Sequence, residues 1–213
     1  EGALRRDTDV LTVHLRGGDA VPALTPEHAQ PPCVAYVEAV LRSGGGEFSG
    51  LRVIAEDDRN PCFAYLLARF PEKIVEARRG GDIVGDVCAL LSARSLFLAA
   101  SSLDASLSLL GAARRVFLVL PSDCFSPGMV SLGLPGERYL AELCDVFGEG
   151  QAVAHELDRR YFLGDEELEE WSESATGAPP VLGVQAVSAA RLLAYPAEGV
   201  RMRVCVRAAE AKK

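Results

Sequence analysis

Lysine is nearly absent from this chain. Of its 22 basic residues only Lys73, Lys212 and Lys213 are lysine, and the other 19 are arginine. Asn60 is the sole asparagine, and histidine occurs three times. An Ala/Gly/Arg bias of this kind follows base composition, so an individual arginine has to be justified by its position. Asn60 precedes Pro61, and no N-glycosylation sequon exists. No run approaches the roughly 18 apolar residues of a membrane-crossing helix. Cys33, Cys62, Cys88, Cys124, Cys144 and Cys205 form no C-x-x-C pair, which with so few histidines argues against a structural zinc site. The six are either buried small hydrophobes or members of a few disulfides, and spacing does not choose. No G-x-G-x-x-G follows a strand, which disfavours a nicotinamide dehydrogenase. The absence of G-x-x-x-x-G-K-S/T disfavours a P-loop NTPase, and the absence of G-x-S-x-G an α/β-hydrolase.

What is present describes a globular chain. At 213 residues, with 49% apolar and 24% charged residues, it has the length for one or two domains and can bury a core without staples. A formal net charge of −8 argues against a general nucleic-acid binder or a binder of anionic membranes, so any anion it takes is small and locally held. The chain opens with Glu1 rather than Met and shows no signal-peptide pattern. We therefore expect a processed chain or a piece of a longer one.

The first two-thirds alternate between two periods. Val10 to Arg16 alternates apolar and polar and ends at Gly17-Gly18, as a strand running into a tight loop does. Helical spacing follows over Val34 to Leu41, Pro61 to Phe70, Asp82 to Ala93 and Ser102 to Leu110, the last stopped by Gly111. Between them lie strand-like Leu51 to Ala55, Lys73 to Ala77, Leu96 to Ala100 and Val116 to Leu120. The order β-α-β-α-β-α-β-α-β predicts an α/β fold, a Rossmann-like open parallel sheet with helices on both faces. Residues 1–150 form this domain. Residues 151–213 read as an acidic extension whose structure is not assigned, with a helix over Glu137 to Phe147 before it, a solvated acidic face at Asp165 to Glu170, a linker at Ser172 to Pro180 and a strand at Arg201 to Arg207.

Ligands of open α/β sheets bind beyond the carboxyl ends of the strands, near the switch in strand order. The segments in that position are Arg16 to Asp19, Glu56 to Asp58 and Ser101-Ser102. His14-Leu15-Arg16-Gly17-Gly18-Asp19 is the most informative. An arginine ending a strand presents a planar fork that matches phosphate bidentately, and the glycines admit close backbone approach. Asp19 either orients the arginine or bonds nearby amides. The alternative is a strand-ending turn with a surface Arg-Asp pair.

This H-L-R-G-G-D string resembles the His-x-Arg-x-Gly-Asp type motif of the fucosyltransferase superfamily, which includes α1,2- and α1,6-fucosyltransferases, protein O-fucosyltransferases and their plant and algal relatives. Val53 to Asp58 is similar to that group's strand-to-(S/T)-D-D turn, and Asp82 to Leu103 to its Asp-helix-strand-Ser-Ser stretch. The likeness runs from Asp9 to Leu120. It implies the donor-binding half of a GT-B-type glycosyltransferase. Arg16 would be the catalytic residue, gripping the donor β-phosphate and stabilising charge on the leaving nucleotide. His14 would sit beside the nucleotide and contact the base through its backbone or ring; the alternative is a satisfied half-buried histidine within the strand. Gly17, Gly18 and Asp19 would line the donor. Asp86, with Asp82 as its rival, would accept guanine N–H bonds; the alternative is a solvated helix face. Ser101 and Ser102 would offer hydroxyls and helix-start amides to phosphate, Ser102 also reading as a plain N-cap. Asp57 or Asp58 would bond the ribose or order the crevice, or form only an acidic turn. Where some members carry a second arginine, this chain has Gly17. The superfamily's N-terminal acceptor lobe has no counterpart in these residues, so no catalytic base is named.

The leading expectation is therefore the nucleotide-sugar-binding lobe of an inverting, metal-independent fucosyltransferase. It would need no cofactor, with GDP-fucose or a related nucleotide sugar as donor, a glycan or protein as acceptor, and a missing N-terminal lobe as partner. The alternative is a non-catalytic Rossmann-like module kept for scaffolding. The Golgi or endoplasmic-reticulum lumen is expected of a eukaryotic chain, where disulfides form, and the cytoplasm of a bacterial one.

Overall fold

Burial on both faces is what makes a strand read as a continuous apolar run, and it sorts the strands here by position. The computed structural model describes residues 10–18, 30–42, 47–99, 101–121, 143–148, 150–157, 161 and 189–204, without the side chains of Ser102, Ala105, Leu120, Pro121, Ala189 and Arg191. β1 (Val10–Leu15) is buried along its whole length, with a parallel neighbour on each side: β2 (Gly50–Ala55) and β4 (Ser95–Phe97). β3 (Ile74–Arg79), at the sheet edge, alternates half-buried and exposed residues. β5 (Arg115–Pro121) and β6 (Ala152–Leu157) extend the sheet beyond β4, and β7 (Arg201–Val204) closes it antiparallel to β6. The order is β3-β2-β1-β4-β5-β6-β7, all parallel but the last. The α/β, Rossmann-like reading holds at that level. β6 and β7 lie within residues 151–213 and belong to this same sheet.

Each crossover helix covers one face. α1 (Cys33–Leu41) and α2 (Cys62–Arg69) pack with α5 (Ala189–Ala194) over Leu11, Val13, Leu15, Phe97 and Phe117. α3 (Ile83–Ser92) and α4 (Ser102–Leu110) pack over Ile54, Leu96, Leu98 and Val116 on the other. Successive side chains of a strand point to opposite faces, so Leu11, Val13 and Leu15 serve the first core while Thr12 and His14 face the second. The helix expected over Glu137 to Phe147 is helical at residues 143–147; its earlier part, Asp165 to Glu170 and Ser172 to Pro180 lie outside the described residues.

Local signals account for most boundaries. Asp82 caps α3, accepting the Gly85 N–H at 2.9 Å. The cap of α4 is Ser101, not Ser102: its Oγ accepts the Leu103 N–H at 3.2 Å. β4 is shorter than its apolar run suggests. The Leu98 N–H still reaches Phe117 O at 2.8 Å, but the Ala99 N–H turns to the Asp104 carboxylate, which ends the ladder.

Gly111 lets α4 end against α3. A Cβ there would lie 2.7 Å from Leu91 O and 2.8 Å from Leu107 O, both backbone atoms that cannot rotate away. Gly111→Ala is expected to cost about 1–3 kcal/mol by overpacking. Urea unfolding would register it as a lower midpoint at unchanged slope; an unchanged midpoint would refute it.

Candidate functional site

The chain builds β1, β2 and β3 outward, then returns to place β4 on the other side of β1. The reversal opens a crevice at the carboxyl ends of β1 and β4. Val13 pairs with Phe97, so Arg16 follows β1 on one side of the switch and Ser101 caps α4 on the other.

Arg16 is half-buried at the end of β1. The Nδ2 of Asn60 donates to its carbonyl at 2.9 Å, and Asn60 Oδ1 accepts the Cys62 N–H at 3.0 Å. Asn60 is buried, so the chain's sole asparagine ties β1 to the start of α2. Cys62 is joined to Cys33 by a buried disulfide that pins the starts of α1 and α2 together. Cys144 is also disulfide-bonded, and Cys88 is a free, exposed thiol.

Gly17 and Gly18 turn the chain away from β1, with Gly18 at φ +55°, a conformation glycine adopts at little cost. Their amides are taken by carboxylates: Gly17 N–H donates to Glu56 Oε2 at 3.0 Å and Gly18 N–H to Asp57 Oδ2 at 2.8 Å. Asp57 therefore orders the loop. Asp58 is exposed. Asp19 lies outside the described residues.

His14 is tied to a carboxylate across the switch. Its Nδ1 lies 2.7 Å from Asp104 Oδ1, and Asp104 Oδ2 accepts the Ala99 N–H at 2.8 Å. Asp104 is fully buried. One carboxylate thus joins β1, the end of β4 and the first turn of α4 across the switch. Burial pushes the His14 pKa down. The Asp104 hydrogen bond and charge, with the charges of Glu56 and Asp86, push it up, and the net value is raised above that of an ordinary histidine. The carboxylate favours the protonated ring, with Nδ1–H donating to Asp104.

Asp86, in the first turn of α3, is half-buried and lies 3.7 Å from the Arg78 Nη1 of β3. Its charge reaches His14, so the topology brings it to the same edge. Asp82, its rival for the base-binding role, is committed to the α3 cap. Ser101 commits its hydroxyl to capping α4, while the side chain of Ser102 is not described. Among the described residues no group of three or more His, Cys, Asp or Glu side chains is arranged to hold a metal ion, and no helix is long and apolar enough to cross a membrane.

Sequence reasoning missed Asp104, Asn60 and Glu56 as partners. A signal for Asp104 existed, because Ser101-x-x-Asp104 has the spacing of a capping box. The carboxylate instead reaches past the cap to Ala99 and His14. The chain matches no protein-family model, no curated protein and no solved structure. A functional reading therefore rests on the site itself.

Proposed function

We propose that this chain is the nucleotide-sugar-binding lobe of an inverting, metal-independent glycosyltransferase of fucosyltransferase type, with a GDP-sugar as donor. The observation that carries the reading is the half-buried Arg16 at the carboxyl end of β1, beside the β1/β4 switch. Its backbone is held by Asn60, so the guanidinium springs from a fixed base, as preorganised charge stabilisation requires. The H-L-R-G-G-D resemblance supplies the donor class.

In the reaction the bond between the sugar's anomeric carbon and the β-phosphate oxygen breaks, and that electron pair leaves with GDP. The acceptor hydroxyl attacks the opposite face of the sugar, and its proton passes to a base on the acceptor-binding lobe. Arg16 balances the charge on the departing diphosphate. Half-buried Asp86 would receive guanine N–H groups, as the resemblance implies. The disulfides at Cys33–Cys62 and Cys144 suit an oxidising compartment, in keeping with a secretory-pathway lumen.

Calorimetric titration of the full chain with GDP tests the reading. Wild type is expected to bind, and Arg16→Ala to lose affinity by roughly 10- to 100-fold, the range of a charged hydrogen-bonding group. Arg16→Lys should recover part of that loss, because it keeps the charge without the fork. Equal affinity in wild type and Arg16→Ala overturns the reading. A wild-type chain that binds no GDP returns it to a non-catalytic module.

A further inference from the structure

We propose that the backbone amides of Gly17 and Gly18, with the Arg59 guanidinium, form an oxyanion site for a phosphoryl group, which Glu56 and Asp57 occupy as internal pseudo-ligands in the free protein. This rests on the reading of the β1 edge as a phosphate-binding crevice. It adds Arg59 and the two amides to Arg16.

Two consecutive amides of a tight turn point the same way, and such concavities bind anions. Here the anions are already visible, since each amide holds a carboxylate oxygen, at 3.0 and 2.8 Å. The space is shaped to an oxyanion: a Cβ on Gly17 would fall 1.8 Å from Asp57 Oδ1. A Cβ at position 17 would thus take the place where the Asp57 carboxylate now sits.

The remaining contacts place a cation at the same point. Arg59 Nη1 donates to Gly18 O at 2.9 Å, and its Nε lies 3.7 Å from Asp57 Oδ2. The Arg59 N–H also donates to Asp57 Oδ1 at 2.9 Å. The occupants sit at the solvent edge. Glu56 is exposed and the Asp57 side chain is 31% exposed, so both can swing into water without opening the core. The fully buried Asp104 cannot. A phosphoryl group has an oxygen for each amide and one for Arg59, and entering the seat it releases both carboxylates to solvent. The carboxylates satisfy the amides while the crevice is empty and lower its affinity for anions.

Titration of the full chain with inorganic pyrophosphate and with GDP tests this. Glu56→Gln and Asp57→Asn keep an acceptor oxygen but lose the charge, and neutral acceptors hold an amide about half as strongly. Each is expected to tighten both probes by ~5-fold. Arg59→Gln should weaken them by a similar factor. Gly17→Ala placed in the Asp57→Asn chain fills the seat and should abolish the gain. If the gain survives Gly17→Ala, it is a through-space charge effect and the site is not these amides. If neither carboxylate variant tightens binding while GDP still binds in an Arg16-dependent way, the amide site fails and the nucleotide-binding reading stands. If no chain binds either probe, both fail together.

Discussion

Replacing Asp104 with alanine is expected to cost the fold about 3–5 kcal/mol, the range for breaking a buried ion pair by removing one partner. Asp104 is fully buried and satisfies two donors, His14 Nδ1 at 2.7 Å and Ala99 N–H at 2.8 Å. Its loss leaves the His14 ring and the Ala99 amide in the interior without their partner, each paying desolvation. Against a typical stability of about 5–15 kcal/mol, such a loss leaves many domains partly unfolded at 37 °C. Urea unfolding at pH 6 measures it, and a loss under 1 kcal/mol would show that the pair does not hold the two halves of the sheet together.

The same pair has a pH signature. Because the folded-state pKa of His14 is raised, its stabilisation is fully present below the unfolded value of about 6.5. It is lost as pH rises through the folded value. Asp104→Asn keeps one acceptor oxygen but not the charge, so it should cost less and remove this alkaline decline.

His155 acts in the opposite direction and supplies the second large effect. It is fully buried on β6, its ring 5.4 Å from Phe97 and 6.2 Å from Phe117 by centroid, and among the described residues no group meets either ring nitrogen in hydrogen-bonding geometry. Burial pushes its pKa down to about 4; the backbone at Leu118 favours the charged ring but does not close a well-formed hydrogen bond, so burial wins. The unfolded chain therefore binds a proton that the folded chain refuses between pH 6.5 and 4. Stability rises with pH across that window and falls as the medium is acidified. The difference of about 2.5 pH units corresponds to ~3 kcal/mol lost by pH 4. His155→Phe removes the titrating group and keeps an aromatic ring between its neighbours, so its urea midpoint should fall much less from pH 7 to pH 4.5. An identical fall in both proteins would place the acid sensitivity elsewhere.

The parts of the fold that were legible are those whose cause is local. Asp82 caps α3 because an Asp stands before an apolar helical run. Pro61 begins the α2 region because its ring fixes a helix-compatible φ, and Gly111 ends α4 because it has no Cβ to meet α3. β4 and β5 announced themselves as apolar runs because parallel strands are covered on both faces. The tail was legible only in part. β7 falls on the period-two strand expected at Arg201 to Arg207, whereas β6 went unread because His155 and Glu156 interrupt its short apolar run. For the site, an arginine ending a strand before two glycines marked Arg16 and its neighbours.

The partners were not legible. His14 and Asp104 are separated by 90 positions, Arg16 and Asn60 by 44, and Cys33 and Cys62 by 29. Nothing local marks such pairs: an acid suits a helix's first turn without a distant histidine, and the cysteine spacing leaves buried hydrophobes and disulfides equally open.

The near-absence of lysine and asparagine determined that chemistry had to be argued from single positions. The sequence by itself located one such position, Arg16, at the end of a buried parallel strand. Periodicity reports which face of an element is apolar, and caps and glycines report where it ends. Neither reports which strand lies beside which. The tertiary structure decided that β4 returns beside β1, because a crossover can close on either side of a strand at equal local cost. With that choice the carboxylate of α4 meets His14, and the sole asparagine meets the backbone of Arg16.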